Sequence, residues 1–121
     1  MEYISFLTNW NNKLQCQVFS TIRLHNPRKY KKGECYNVFL NGLQYPSVEC
    51  MNVITVTTDK LSDYVCLLDT GYDKKETLAI LGKMYPGINM NTQLFDVILL
   101  KKIKQDAPKQ AEMELFENSK I

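Results

Sequence analysis

Residues 35–57, CYNVFLNGLQYPSVECMNVITVT, decide the fold. Val, Ile, Thr, Tyr and Phe crowd both halves, and these side chains suit a pleated surface better than a helix. Asn41-Gly42 stands between the two apolar runs, and Asn-Gly is the pair favoured by a two-residue turn with positive φ at both positions. The stretch therefore predicts a hairpin. One strand covers 35–40, the chain resumes at 43–45, Pro46 interrupts it, and a long strand follows over 48–57.

Outward from the hairpin the pattern stays readable. Upstream, residues 15–24 (QCQVFSTIRL) form an imperfectly alternating strand. Cys16, Val18, Ser20 and Ile22 lie on one face, with Phe19, Thr21 and Arg23 on the other. Residues 25–34 (HNPRKYKKGE) are polar, and Pro27 and Gly33 break regular structure. Downstream, Thr58 or Asp59 is the expected cap of a helix with Leu61, Tyr64, Val65 and Leu68 at i, i+3, i+4 and i+7. Gly71 suits its left-handed end. Asp73 and Glu76 have capping-box spacing for a second helix, buried through Leu78, Leu81 and Tyr85 and stopped by Pro86-Gly87. Residues 93–103 close the series as a strand. Strands, a helical pair and a final strand predict an α+β domain over residues 1–104. Its sheet is expected to be mixed, mostly antiparallel and curled into a β-barrel, which hides sheet edges. Residues 105–121 read as a polar tail, helical or mobile, with Met113, Leu115 and Phe116 as its only apolar anchors, and the tail is the segment expected to engage any protein partner.

Composition narrows the function classes. The 121 residues are 45% hydrophobic and 23% charged, ordinary for one domain with its own core. No apolar run approaches the ~20 residues of a membrane helix and no signal peptide is visible, so the chain reads as cytoplasmic, with no membrane partner. Cys16, Cys35, Cys50 and Cys66 lack close pairs, which points to thiols buried in a reducing compartment rather than a zinc site. No phosphate-loop glycine pattern, nucleophile elbow or metal-ligand spacing occurs, so neither cofactor nor metal is expected. The net charge of +2 says little alone. Its distribution says more: Arg23, Arg28, Lys29, Lys31 and Lys32 hold five of the 15 basic residues with no acid among them.

The run Ser20-Thr21-Ile22-Arg23, followed by Lys31-Lys32-Gly33-Glu34 opening a strand, resembles the start of ASCH-domain proteins. The likeness continues through the long strand at 50–57, Leu67-Leu68-Asp69, Met84-Tyr85-Pro86 and the closing strand at 95–100. It spans residues 15–103. The resemblance implies a PUA-like β-barrel with a helical pair inserted before the last strand, and an RNA-linked role. Some family members look like amidohydrolases of acylated cytidine and others like ribonucleases. The amidohydrolase pattern uses a lysine three residues before the threonine of T-x-R, that threonine, and an acid in the helical region. Thr21 matches the threonine and Asp69 stands for the acid, usually Glu. Val18 occupies the lysine's place, and Lys13 is the nearest substitute upstream.

Two sets of candidate residues follow. Thr21, Asp69 and Lys13 are the catalytic candidates. Valine cannot transfer a proton, so hydrolysis requires Lys13 to fold into the site. Arg23, His25, Arg28, Lys29, Tyr30, Lys31 and Lys32 are the candidates for binding RNA or a nucleotide. Arg23 can pair with a phosphate or a base edge, or serve structurally by bonding carbonyls or Asp69. The loop cations can track phosphates around a stacking Tyr30, or simply be solvated. His25 suits a pocket rim or a capped turn, and Asp69 either accepts from an amine or helps cap the second helix. The Asn residues flanking Trp10 read as turn formers. Binding without catalysis is the favoured expectation, with hydrolysis and protein interaction as alternatives.

Overall fold

A computed structural model describes residues 1–103; the expectations for Lys104 and for 105–121 lie outside the described residues. The hairpin forms as read. Strand β3 (Cys35–Leu40) turns at Asn41 (φ 51°) and Gly42 (φ 83°) into β4, Leu43–Val56. Pro46 does not end β4. Tyr36 pairs with Val48 and Val38 with Tyr45, so Pro46 and Ser47 stand opposite Asn37 in a bulge that spares the proline a ladder bond. Strands β2 (Val18–Leu24) and β5 (Phe95–Lys102) pair antiparallel. An unforeseen strand, β1 (Glu2–Phe6), runs parallel to β3. The sheet order β1-β3-β4-β5-β2 is mixed and mostly antiparallel.

The five-stranded sheet curls into a half-barrel within an α+β fold. Inside the curl, Ile4 and Phe6 of β1 meet Phe19 of β2, Tyr36, Val38, Val48, Cys50, Ile98 and Leu100 in one buried cluster. The Phe6 and Phe19 rings touch edge to face at 6.3 Å, which draws the two outer strands together. Those outer strands do not pair, so a seam is left between β1 and β2. On the other side of β2 and β5, Ile22 and Phe95 pack with Leu61, Cys66 and Leu81 from the helical segment.

Helix α1 (Asp63–Thr70) is capped by Ser62, whose side chain accepts from the Val65 N–H at 3.1 Å. Thr58 and Asp59 instead lie in a single 3₁₀ turn, Thr58–Lys60, correcting the expected cap. The buried stripe also differs. Leu61 is buried, but Tyr64 and Leu68 are exposed, and the helix turns Cys66, Asp69 and Thr70 inward. Helix α2 (Lys74–Met84) starts at Asp73, which accepts from the Glu76 N–H at 2.9 Å, so Asp73 rather than Asp69 is its cap. The Thr70 and Thr77 hydroxyls, 2.8 Å apart, tie the two helices. Among the described residues no helix is long and apolar enough to cross a membrane. Cys50 and Cys66 are buried, Cys35 is half-buried, and Cys16, expected inside, is exposed.

Gly71 ends α1 at φ 83°, and its N–H donates to the Leu67 carbonyl at 2.9 Å. A Cβ there would lie 3.3 Å from Asn11 Oδ1. Gly71→Ala combines that crowding with a left-handed backbone, and is expected to cost about 1–2 kcal/mol in urea unfolding. An unchanged midpoint would contradict the strain.

Candidate functional site

The turn before β2 carries the decisive side chain. In Trp10–Gln15, Asn11 (φ 56°) and Asn12 (φ 54°) both take the left-handed conformation that Asn tolerates better than most residues. Asn9 Oδ1 accepts from the Leu14 N–H at 2.9 Å, and Asn9 Nδ2 donates to Asn12 Oδ1 at 3.1 Å. Asn11 Nδ2 donates to the Leu67 and Leu68 carbonyls, both at 3.3 Å, fixing the turn against α1. The backbone reversal buries Lys13 and Leu14, at 4% and 1% exposed.

Lys13 Nζ there forms a buried ion pair with Asp69 of α1. Burial pushes the Lys13 ammonium below its ordinary value, against the opposing pull of Asp69. Burial likewise raises the Asp69 carboxyl, opposed by Lys13, Arg23 and the Ile22 N–H. Burial therefore opposes the charged form of each partner, and their attraction opposes burial. Thr21, also buried, accepts from Arg23 Nε at 3.0 Å, which leaves its own O–H to donate. The Arg23 guanidinium lies over the Phe6 ring, 4.6 Å from its centroid.

These four side chains face one cavity of about 350 Å³ at the seam between β1 and β2. Its apolar walls include Phe6, Trp10, Leu81 and Met84, with Tyr85 at one side. A concave, largely apolar space with a few convergent polar groups is the usual form of a small-ligand site. Val18 is 45% exposed and does not line it, whereas Lys13 does.

No family model, curated protein or solved structure matches the chain. The function must therefore be argued from the cavity and its surroundings.

The basic loop stands apart. None of His25, Arg28, Lys29, Tyr30, Lys31 and Lys32 lines the cavity, so the expected basic rim is not found there. His25 Nδ1 donates to Asp96 at 2.9 Å, as a loop anchor rather than a pocket rim. Tyr30 is half-buried against the inner core and near Tyr36, with Lys29 Nζ 5.7 Å from its ring centroid, and is not an open stacking platform. Lys29 also lies over Tyr3. Arg28, Lys31 and Lys32 are exposed. Buried Tyr36, its phenol pushed up to about 12 by desolvation, donates to the Lys29 carbonyl at 2.5 Å and holds the loop from beneath.

Two groups escaped the sequence reading. Asp96 was hidden inside an apolar strand, and the wall residues Trp10 and Phe6 belong to segments read as turn and terminus. The signal for Lys13 was local: an Asn9, Asn11, Asn12 set able to reverse the chain just before it.

Proposed function

We propose that the chain is a small-ligand-binding protein of the PUA-like, RNA-linked kind implied by the resemblance, and that its seam cavity takes one nucleobase or nucleoside. One observation carries this reading: Lys13, Thr21, Arg23 and Asp69, from three separate elements, converge in a cavity walled by Trp10 and apolar side chains. A base offers a flat apolar face to such walls and donors and acceptors at its edge to the polar cluster. The cavity's enclosure favours a single base over a nucleic-acid tract, while the exposed cations of the loop remain open to a backbone passing outside.

Lys13 supports a second step, hydrolysis of an amide such as an acylated cytidine amine. With its proton transferred to Asp69, the Lys13 amine takes the proton of the Thr21 hydroxyl as Thr21 Oγ attacks the carbonyl carbon. Collapse breaks the C–N bond, and the Lys13 ammonium returns the proton to the departing amine. Water then cleaves the threonyl ester, releasing the acid and restoring Thr21.

Trp10 is the one tryptophan and lines the cavity, so its emission reports occupancy. Titration with cytidine, uridine, adenosine and guanosine is expected to give a saturable change with at least one of them. Silence with all four at low salt would reject the site. Acylated cytidine, followed by chromatography, is expected to lose its acyl group at a rate falling at least about 100-fold in Thr21→Val. Binding with no turnover would remove the hydrolytic step alone.

A further inference from the structure

The charges around the cavity do not balance, and the surplus names the ligand more closely; this inference rests on the nucleobase reading above. Lys13 and Asp69 cancel as a pair. Arg23 lines the same cavity, yet among the described residues its guanidinium has no carboxylate within ion-pair distance; the two acid partners nearby are held by Lys13 and His25. Its Nε is committed to Thr21, and its face rests on Phe6. Those two contacts fix the plane of the guanidinium while its terminal nitrogens make no hydrogen bond to a described residue. A planar fork held in place, half-buried among apolar walls, is arranged for bidentate pairing with an oxyanion. Low surrounding polarity strengthens that pairing relative to water.

We propose that the ligand is a nucleoside monophosphate rather than a nucleoside, with its phosphate on the Arg23 fork and its base between Trp10 and the apolar side chains of α2. Phosphate supplies the charge that Arg23 lacks.

The full-length chain is titrated at low salt with cytidine and with cytidine 5′-monophosphate, following Trp10 emission, in the parent, Arg23→Gln and Arg23→Lys. The monophosphate is expected to bind the parent at least about tenfold more tightly than the nucleoside. Arg23→Gln is expected to bring the two ligands within about twofold of each other, and Arg23→Lys to keep part of the advantage as a point charge without a fork. Equal affinities in the parent would overturn the inference and leave the nucleobase reading intact. A phosphate advantage untouched by either substitution would also overturn it. No response to either ligand would remove both.

Discussion

Lys13→Met is expected to lower the unfolding free energy at pH 7 by about 3–5 kcal/mol, and adding Asp69→Leu is expected to restore it to the parent's value or above. The expectation follows from the sign of the two shifts. Desolvation is the largest influence on both groups, holding Lys13 below its ordinary 10.5 and Asp69 above its ordinary 3.8 despite their attraction. A carboxyl raised by folding favours the fold below its unfolded value, and that contribution is lost as pH rises through the folded value. An ammonium lowered by folding favours the fold above its unfolded value, and that contribution is lost as pH falls through the folded value. Where both partners are charged, the pair therefore costs stability relative to the unfolded chain. Removing both charges with side chains of similar size removes that cost. Removing Lys13 alone leaves a carboxylate only 2% exposed with no counter-charge, which must take up a proton or reach water. Urea unfolding of the parent, both single variants and the double variant gives the coupling directly. A Lys13→Met variant within about 1 kcal/mol of the parent would show that the two side chains do not form a buried unit. A stable double variant that binds no nucleoside would mark a pair retained for its chemistry rather than for folding.

The same pair shows where the sequence was legible. Asn41-Gly42 announced the hairpin because a turn with positive φ at both central residues has few alternatives. Thr21 and Arg23 were placed on one strand face by simple alternation, and they share a hydrogen bond. Alternation failed where the chain spent polar residues inward. Helix α1 has two possible buried phases in its eight residues, and Tyr64 and Leu68, placed inward by apolar periodicity, are exposed because Cys66, Asp69 and Thr70 claim the interior. Local pattern and tertiary demand disagree most readily at functional sites. Strand β1 was missed because its alternation rests on Ile4 and Phe6 alone. Pro46 misled for a definite reason, since a bulge lets a strand continue past a residue that lacks an N–H. The meeting of Lys13 with Asp69 spans 56 residues, and no spacing rule reaches across separate elements.

Asp96→Ala is expected to cost about 3–5 kcal/mol while leaving nucleoside binding nearly unchanged, because Asp96 anchors the basic loop and does not line the cavity. The carboxylate is 1% exposed. Oδ1 accepts from the Thr55 hydroxyl at 2.7 Å and from His25 Nδ1 at 2.9 Å, while Oδ2 accepts from the Asn26 N–H at 2.8 Å. A carboxylate oxygen accepts, so the bond calls for the His25 tautomer with its proton on Nδ1. Each bond to a charged acceptor contributes about 1.5–3 kcal/mol, and the three are not additive because they share one group. Alanine removes them together and leaves the Asn26 N–H and the Thr55 hydroxyl without that acceptor. The His25 N–H keeps its own bond to the Leu94 carbonyl at 3.1 Å, so the strand pairing itself should survive. Asp96→Asn keeps the shape but points an amide N–H₂ at one donor, and is expected to fall between alanine and the parent. Hydrogen exchange separates this account from general destabilisation: the Asn26 amide should lose protection well before those of β5. An Asn26 amide that stays as protected as in the parent would mean that the loop's other contacts, the Tyr36 hydroxyl among them, hold it without Asp96. Where the amide does open, Arg28, Lys31 and Lys32 lose their fixed arrangement, and any salt-dependent RNA affinity should fall with it while Trp10 still reports cytidine.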